Sequence, residues 1–245
     1  MKKKKGEYKE GKLNEELELM LKSIKFNNPG ISDEILEAFR ICDRKFFVRG
    51  KGIGVYDDVP QHVAHGQTIS QPSTIARMIR LLNLDKGLDV LEVGANTGYH
   101  ASLVAYLVYP GNVTTIEIFP DLVKMARRNV ALLKKSKRVK MNIEIFAGDA
   151  LDKTQNIWQH KYDRIYFTAG VEQDKIDEVK AMGRELLREN GLLLYPTREA
   201  WDWGALEIWQ LHGQKLRLVS RETGYAFVPL LRKQELKDFY EKKKK

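Results

Sequence analysis

The chain has a single cysteine, Cys42, and lacks any long apolar run. One cysteine excludes an internal disulfide, and no spacing of cysteine and histidine residues is typical of a zinc site. No segment approaches the roughly 18 consecutive apolar residues of a membrane span, and no signal-peptide run follows the N-terminal lysines. These absences predict a cytoplasmic protein that holds no metal and inserts in no membrane.

Acidic residues are too few to balance the basic ones, and the formal net charge is +9. The lysine runs at 2–5 and 242–245 supply eight of these charges, which leaves +1 for the rest of the chain. A nucleic-acid-binding domain usually carries a basic patch or stripe on one face. We therefore expect residues 1–12 and 237–245 to be solvated, lysine-rich tails, and we expect no stable nucleic-acid partner.

At 245 residues and 43% hydrophobic content, the chain can bury one sizeable core. Residues 13–26 carry apolar side chains at helical spacing, and Asp33 is placed to cap a second helix after the break at 27–30. Residues 13–71 are therefore predicted to form a helical N-terminal extension with a loop. The polar run "HVAHGQTISQP" (62–72) is either an ordinary surface loop or a loop that handles a substrate.

Between residues 72 and 236 the pattern changes to alternating strands and helices. Such alternation predicts a mostly parallel sheet covered on both faces, here with an antiparallel C-terminal edge. The fold class is α/β: a Rossmann-like, doubly wound sheet with an N-terminal helical extension. The predicted strands are 88–93, 112–118, 142–150, 162–170 and 191–196, followed by "ALEIWQL", "KLRLV" and "YAFVPLL".

The first predicted strand runs into "GANTG" (94–98), which opens a helix. In such sheets ligands bind beyond the carboxyl ends of the strands, and the free N–H groups of a helix N-terminus attract a carboxylate or phosphate. The turn has only Gly94 and Gly98, so it lacks the three glycines of a dinucleotide fingerprint. Because a strand-to-helix turn can need glycine for packing alone, this motif by itself leaves both interpretations open.

Acidic residues at the strand ends favour a cofactor site. Glu117 ends the second strand, where a carboxylate can accept hydrogen bonds from both hydroxyls of a ribose. Asp149 ends the next unit, where a carboxylate can meet an adenine amino group, and Glu92 is placed near an ammonium. A ligand with a ribose, an adenine and an amino-acid end, but no pyrophosphate, is S-adenosylmethionine. We predict it as the cofactor.

Two long motifs, in this order, carry a family resemblance: "YDDVPQHVAHGQTISQP" and "MIRLLNLDKGLDVLEVGANTGYHASLVA". Together with "RKFFV", "YDRIYFTA" and "YAFVPL", they resemble protein-L-isoaspartate O-methyltransferase, one of the seven-strand methyltransferases. The resemblance covers roughly residues 15 to 235. It implies that residues 72–236 form the S-adenosylmethionine-binding domain, and that the polar run folds over the cofactor and the target carboxylate.

The resemblance implies methyl transfer to the free carboxylate of L-isoaspartyl residues in damaged proteins or peptides, by a monomer. Ser70 matches the serine assigned to the active site. A carboxylate is already ionised near neutral pH, so it needs orientation, worth about 7–11 kcal/mol, rather than a general base. His62 and His65 are therefore given no catalytic role. The predicted cofactor-binding residues are Gln67, Thr68, Ile69, Glu92, Gly94, Ala95, Asn96, Thr97, Gly98, Glu117, Ile118, Gly148, Asp149 and Ala150.

The chain departs from the family pattern mainly on the acceptor side. Gln71 and Ser73 stand where the family usually has alanine and histidine, and Asn96 replaces the middle glycine of the turn. Two alternatives therefore stay open: a methyltransferase with another acceptor (a small molecule, a modified peptide or RNA), or a peptide-binding relative without catalysis. Trp201 and Trp203 are able to stack on an aromatic acceptor, although packing in the core or at its rim is the favoured interpretation.

Overall fold

The structure, a computed structural model, describes the backbone of residues 2–48, 54–199 and 203–242, and the side chains of 14–48, 54–199 and 203–240. Trp201 lies outside the described residues. No helix in the described part of the chain is both long and apolar enough to cross a bilayer. The helices are α1 Lys2–Asn27, α2 Asp33–Ile41, α3 Pro72–Leu81, α4 Tyr99–Val108, α5 Pro120–Lys137, α6 Ile176–Leu186 and α7 Leu236–Lys242. The strands are β1 Gln61–His62, β2 Thr68–Ile69, β3 Asp89–Val93, β4 Asn112–Glu117, β5 Asn142–Ala147, β6 Tyr162–Phe167, β7 Val171–Glu172, β8 Leu187–Arg198, β9 Trp203–His212 and β10 Lys215–Ala226.

The central sheet has the strand order β10-β9-β8-β6-β3-β4-β5, with the short β7 beside β8. Strands β3, β4, β5, β6 and β8 pair in parallel, whereas β9 is antiparallel to both β8 and β10. The chain winds from β3 to β4 and β5 on one side, and then returns to β6 on the other. The order therefore reverses between β3 and β6, and the predicted α/β fold class is confirmed.

The N-terminal extension belongs to the same core as the sheet. Helix α1 packs on α2 and α3, and α2 packs on α4. The inward face of α1 is buried at Leu17, Met20, Leu21 and Ile24. Fully burying one such side chain stabilises a fold by about 1.5–3 kcal/mol. The extension is therefore a structural layer over α3 and α4, the two helices that precede and follow β3 in the chain.

Several predicted boundaries differ from the structure. Helix α1 begins at Lys2, within the N-terminal segment predicted as a tail, and α7 spans the boundary predicted at residue 237. Lysine and glutamate are good helix formers and extend a helix once packing has nucleated it. Ser32, rather than Asp33, is the N-cap of α2, and its hydroxyl accepts from the N–H of Ile35.

The C-terminal edge contains two long strands instead of three short ones. "KLRLV" and the start of "YAFVPLL" form one strand, β10, which pairs with β9 through two irregularities in register. The next residues leave the sheet: the N–H of Gly170 donates to the carbonyl of Val228, and that of Leu230 to the carbonyl of Gly170. This pairing draws residues 228–231 towards the carboxyl ends of the parallel strands.

Candidate active site

A cavity, partly open to solvent, lies at the carboxyl ends of β3, β4, β5 and β6. The segment around β2 forms one wall of the cavity, and residues 228–231 form another. Of the predicted site residues, the structure brings together Gln67, Thr68, Ile69, Ser70, Gly94, Ala95, Asn96, Thr97, Glu117, Ile118, Gly148 and Ala150.

The turn after β3 approaches β6 so closely that its first residue has to be glycine. Gly94 has a φ of 102°, and a Cβ built on it would lie 2.3 Å from Thr168 Oγ1. That hydroxyl donates to the carbonyl of Gly94 at 2.7 Å. Gly98, which also has a positive φ, begins α4 but does not line the cavity. The two glycines therefore shape the turn, and the residues between them form the wall.

Glu117 lies at the end of β4, and its carboxylate is almost fully buried at the cavity wall. Its Oε2 accepts from the backbone N–H of Asn96 at 2.8 Å, and its Oε1 accepts from the N–H of Phe119 at 3.1 Å. Burial raises the pKa of Glu117, while these N–H donors oppose the rise. A carboxylate oxygen has more than one acceptor site, so Glu117 retains the capacity to bind a diol.

Four buried polar atoms in residues of the cavity wall have no hydrogen-bond partner among the described residues: Asn96 Oδ1, Thr97 Oγ1, Tyr99 Oη and His100 Nε2. Burial lowers the pKa of His100 to about 3, so its imidazole is neutral at physiological pH. Buried polar groups are rarely left unpaired in proteins, and such groups around one cavity indicate a polar ligand. The wall therefore fits a cofactor with hydroxyl and amino groups.

The structure does not bring Glu92 and Asp149 to the cavity wall. Glu92 is fully buried, and its carboxylate accepts from the hydroxyls of Thr115 and Tyr166. Asp149 accepts from the guanidinium of Arg232 at 2.9 Å, and from the backbone N–H groups of Leu151 and Lys233. Both carboxylates therefore lie behind the residues that line the cavity. Glu92 lies beneath the glycine turn, and Asp149 anchors the C-terminal segment that contains Arg232 and Lys233.

The polar run is a β-hairpin rather than an irregular loop. Strands β1 and β2 pair antiparallel, and the N–H of Gln67 donates to the carbonyl of Ala64 across the turn. His65 and Gly66 both have positive φ, as a type I′ hairpin turn requires. This hairpin, which we call the acceptor hairpin (residues 61–69), directs the chain so that Ser70 lines the cavity.

Arg44 holds the end of the acceptor hairpin, a role that our sequence analysis missed. Its side chain is fully buried, donates to the carbonyls of Ser70 (3.2 Å) and Val59 (3.4 Å), and lies over the ring of Tyr99. Burial lowers its pKa, an effect that the neighbouring Tyr99 and Asp58 oppose. The quoted motif "RKFFV" contains this residue, but a buried arginine is recognisable only from the tertiary structure.

Gln71 and Ser73, the two residues beside Ser70 that differ from the family pattern, form a hydrogen bond with each other at the start of α3. The amide of Gln71 donates to the hydroxyl of Ser73 at 2.7 Å, and the N–H of Ser73 donates to Asp58 at 2.8 Å. His65 does not line the cavity: it stacks on Phe119 and contacts Asp121 at 2.7 Å. These contacts give Gln71, Ser73 and His65 structural partners of their own.

A doubly wound sheet with a cavity at its switch point, a glycine turn and a strand-end carboxylate defines an α/β protein of the Rossmann-like, cofactor-binding class. Residues 14–235 match the family model described as "Protein-L-isoaspartate(D-aspartate) O-methyltransferase (PCMT)". The chain therefore belongs to the protein-L-isoaspartate O-methyltransferase family.

Curated relatives agree with this assignment, and solved structures share the fold. A protein-L-isoaspartate O-methyltransferase of Methanothrix thermoacetophila is 34% identical over 212 residues, which cover 86% of this chain and 93% of that protein. One from Pyrococcus horikoshii is 31% identical over 210 residues, covering 82% and 86%. A solved protein-L-isoaspartate O-methyltransferase shares the fold with a TM-score of 0.73, at 24% identity, over 92% of this chain and 69% of that chain. A Plasmodium falciparum protein solved in complex with S-adenosyl-L-homocysteine has a TM-score of 0.72, at 22% identity, over 87% and 97%.

Proposed function

We propose that this protein transfers a methyl group from S-adenosylmethionine to the free carboxylate of L-isoaspartyl residues in damaged proteins or peptides, as an enzyme of protein repair. One observation carries the proposal: Ser70 lines the same cavity as the glycine turn and Glu117. The residues expected to contact acceptor and cofactor thus share one space. Membership of the family supports the choice of acceptor.

The cavity wall suits S-adenosylmethionine. Glu117 would accept from the ribose hydroxyls, and Thr97 and His100 would supply polar partners that are now unpaired. The backbone of the turn at 94–98 would bind the amino-acid end at the start of α4. When bound, the cofactor supplies a methyl group on a sulfonium centre. In this proposal Asp149 acts indirectly, since it holds residues 148–150 and the C-terminal segment against the cavity.

The acceptor carboxylate needs placement rather than deprotonation. It is ionised near neutral pH, so no side chain has to remove a proton before it attacks. Ser70 would donate to one carboxylate oxygen and leave the other free to attack the methyl group. Arg44 would keep Ser70 in position through the Ser70 carbonyl. Burial lowers the pKa of His100 to about 3, which makes its imidazole a weak base and agrees with a reaction that requires no general base.

The decisive experiment is methyl transfer from labelled S-adenosylmethionine to one peptide in isoaspartyl and aspartyl forms. We expect base-labile label on the isoaspartyl form alone. Ser70→Ala should lower kcat/KM about 10- to 100-fold, because a hydrogen bond to a charged group contributes about 1.5–3 kcal/mol. Ser136→Ala, at an exposed position of α5, is the matched control and should retain wild-type activity.

Label on neither peptide, while S-adenosylmethionine still binds, would refute the isoaspartyl acceptor and favour a related methyltransferase with another substrate.

We also propose that the enzyme acts as a monomer in the cytoplasm, without nucleic acid. Light scattering coupled to size-exclusion chromatography tests the first point, and a dimeric mass would contradict it.

A further inference from the structure

Asn96 differs from its neighbours in the glycine turn because it combines three unusual features. It has a φ of 48°, in the left-handed region that non-glycine residues seldom adopt. Its Nδ2 donates to the carbonyl of Thr68 in the acceptor hairpin at 2.9 Å. Its Oδ1 is buried without a partner among the described residues. Strained residues that persist in a fold cluster at functional sites.

A glycine at position 96 would reproduce only part of this arrangement. The backbone N–H of Asn96 donates to Glu117, and a glycine makes that contact equally well. The hydrogen bond to Thr68, in contrast, requires the side-chain amide. Of the two ends of the Asn96 amide, only the NH₂ group can donate to the carbonyl of Thr68, which fixes the orientation of the amide and directs Oδ1 away from that carbonyl. The asparagine thus adds a link that the usual residue of the family cannot form.

The contacts of Asn96 connect the two halves of the site. The backbone N–H of Asn96 donates to Glu117, and the side-chain amide of Asn96 donates to the carbonyl of Thr68. Thr68 lies two residues before Ser70. Arg44 then fixes the carbonyl of Ser70 from the opposite side. The path from the strand-end carboxylate to the acceptor serine therefore consists of hydrogen bonds at normal distances and two peptide units.

We propose that Asn96 is a positioning residue that links the cofactor turn to the acceptor hairpin, so that cofactor binding orders the segment that carries Ser70. The proposal deepens the proposed function and rests on it for the identity of the cofactor and the acceptor. A ligand that restrains the turn through Glu117, which holds the backbone N–H of Asn96, reduces the freedom of the Asn96 amide. The acceptor hairpin is thereby held in place before the acceptor arrives, which lowers the ordering cost of acceptor binding.

The test compares Asn96→Gly with Asn83→Gly. Asn83 follows α3, is exposed and has a φ of 46°, so its replacement relieves the same kind of backbone strain away from the cavity. Amide hydrogen exchange is followed in residues 61–70 with and without S-adenosylhomocysteine. We expect the ligand to slow this exchange in the wild type and in Asn83→Gly. In Asn96→Gly the ligand-induced protection should fall about three- to tenfold, the effect of losing one hydrogen bond.

Steady-state kinetics separate positioning from a general effect on folding. Asn96→Gly should raise KM for an isoaspartyl peptide about three- to tenfold, whereas calorimetric affinity for S-adenosylhomocysteine should change less than threefold. Equal protection of the hairpin in Asn96→Gly and wild type would overturn the proposal. Because the exchange experiment uses no acceptor, it decides the role of Asn96 even if the wild type fails to methylate an isoaspartyl peptide.

Discussion

Replacing Glu92 by glutamine should stabilise the protein at alkaline pH. Glu92 is fully buried beneath the glycine turn. Burial raises its pKa from 4.5 to about 7; the negative charge of Glu117 adds to the rise, and the hydroxyls of Thr115 and Tyr166 oppose it. The folded protein thus binds this proton more tightly than the unfolded chain does. Glutamine has the same shape but no proton to lose.

The sign and size follow from proton linkage. A raised folded-state pKa stabilises the fold fully below about pH 4.5, and this contribution is lost as the pH rises through about 7. At about 1.4 kcal/mol for each unit of pKa, the free energy of unfolding of the wild type falls by about 3 kcal/mol in total between acidic and alkaline pH. Glu92→Gln should therefore exceed the wild type by about 3 kcal/mol at alkaline pH, and by about 1 kcal/mol or less near pH 5.

Urea denaturation at a series of pH values between about 5 and 8.5 measures the difference, and thermal melts should show about 6–12 °C at the alkaline end. Glu144→Gln, at an exposed position of β5, is the control and should show no such trend. A difference between Glu92→Gln and the wild type that does not change with pH, or that shrinks as the pH rises, would refute the argument. Affinity for S-adenosylhomocysteine should change less than threefold, because Glu92 does not line the cavity.

Two further substitutions test the walls of the site. Arg44→Met removes the donors to the carbonyls of Ser70 and Val59, so kcat/KM should fall about tenfold in the methylation assay. Its melting temperature should change little, since the loss of these hydrogen bonds is offset by relief of a buried charge; a large fall in melting temperature with unchanged kinetics would contradict this role. Gly94→Ala would place a Cβ 2.3 Å from Thr168 Oγ1 on a backbone with a φ of 102°, so calorimetry should show at least about tenfold weaker binding of S-adenosylhomocysteine. Unchanged binding would mean that the turn tolerates a side chain.

Local patterns predicted the elements that frame the cavity. The helix expected to follow the turn at 94–98 is α4, Tyr99–Val108, and the strand expected at 88–93 is β3, Asp89–Val93. Both follow from residues that are close in the chain: an apolar run, two glycines and the helical spacing that comes next. The position of Glu117 was predicted for a similar reason, because a carboxylate that ends a parallel strand lies at the ligand-binding edge of the sheet.

Partners that are distant in the chain could not be predicted. Asp149 meets Arg232, which lies more than eighty residues further on, and Glu92 meets Tyr166 on the neighbouring strand. A strand end identifies the edge of the sheet, but the face to which its side chains point depends on packing and register. Both carboxylates were therefore assigned to the correct region, and only their contacts put them behind the wall.

The sequence by itself determined the α/β architecture, the family and the position of the glycine turn, because each depends on periodicity and on motifs whose residues are neighbours. Only the tertiary structure decided that the polar run is a hairpin, that Arg44 supports Ser70, and that Asn96 reaches Thr68. The physical reason is that a hydrogen bond needs two groups within about 3 Å of each other. Chain folding sets that proximity, and no local pattern encodes it.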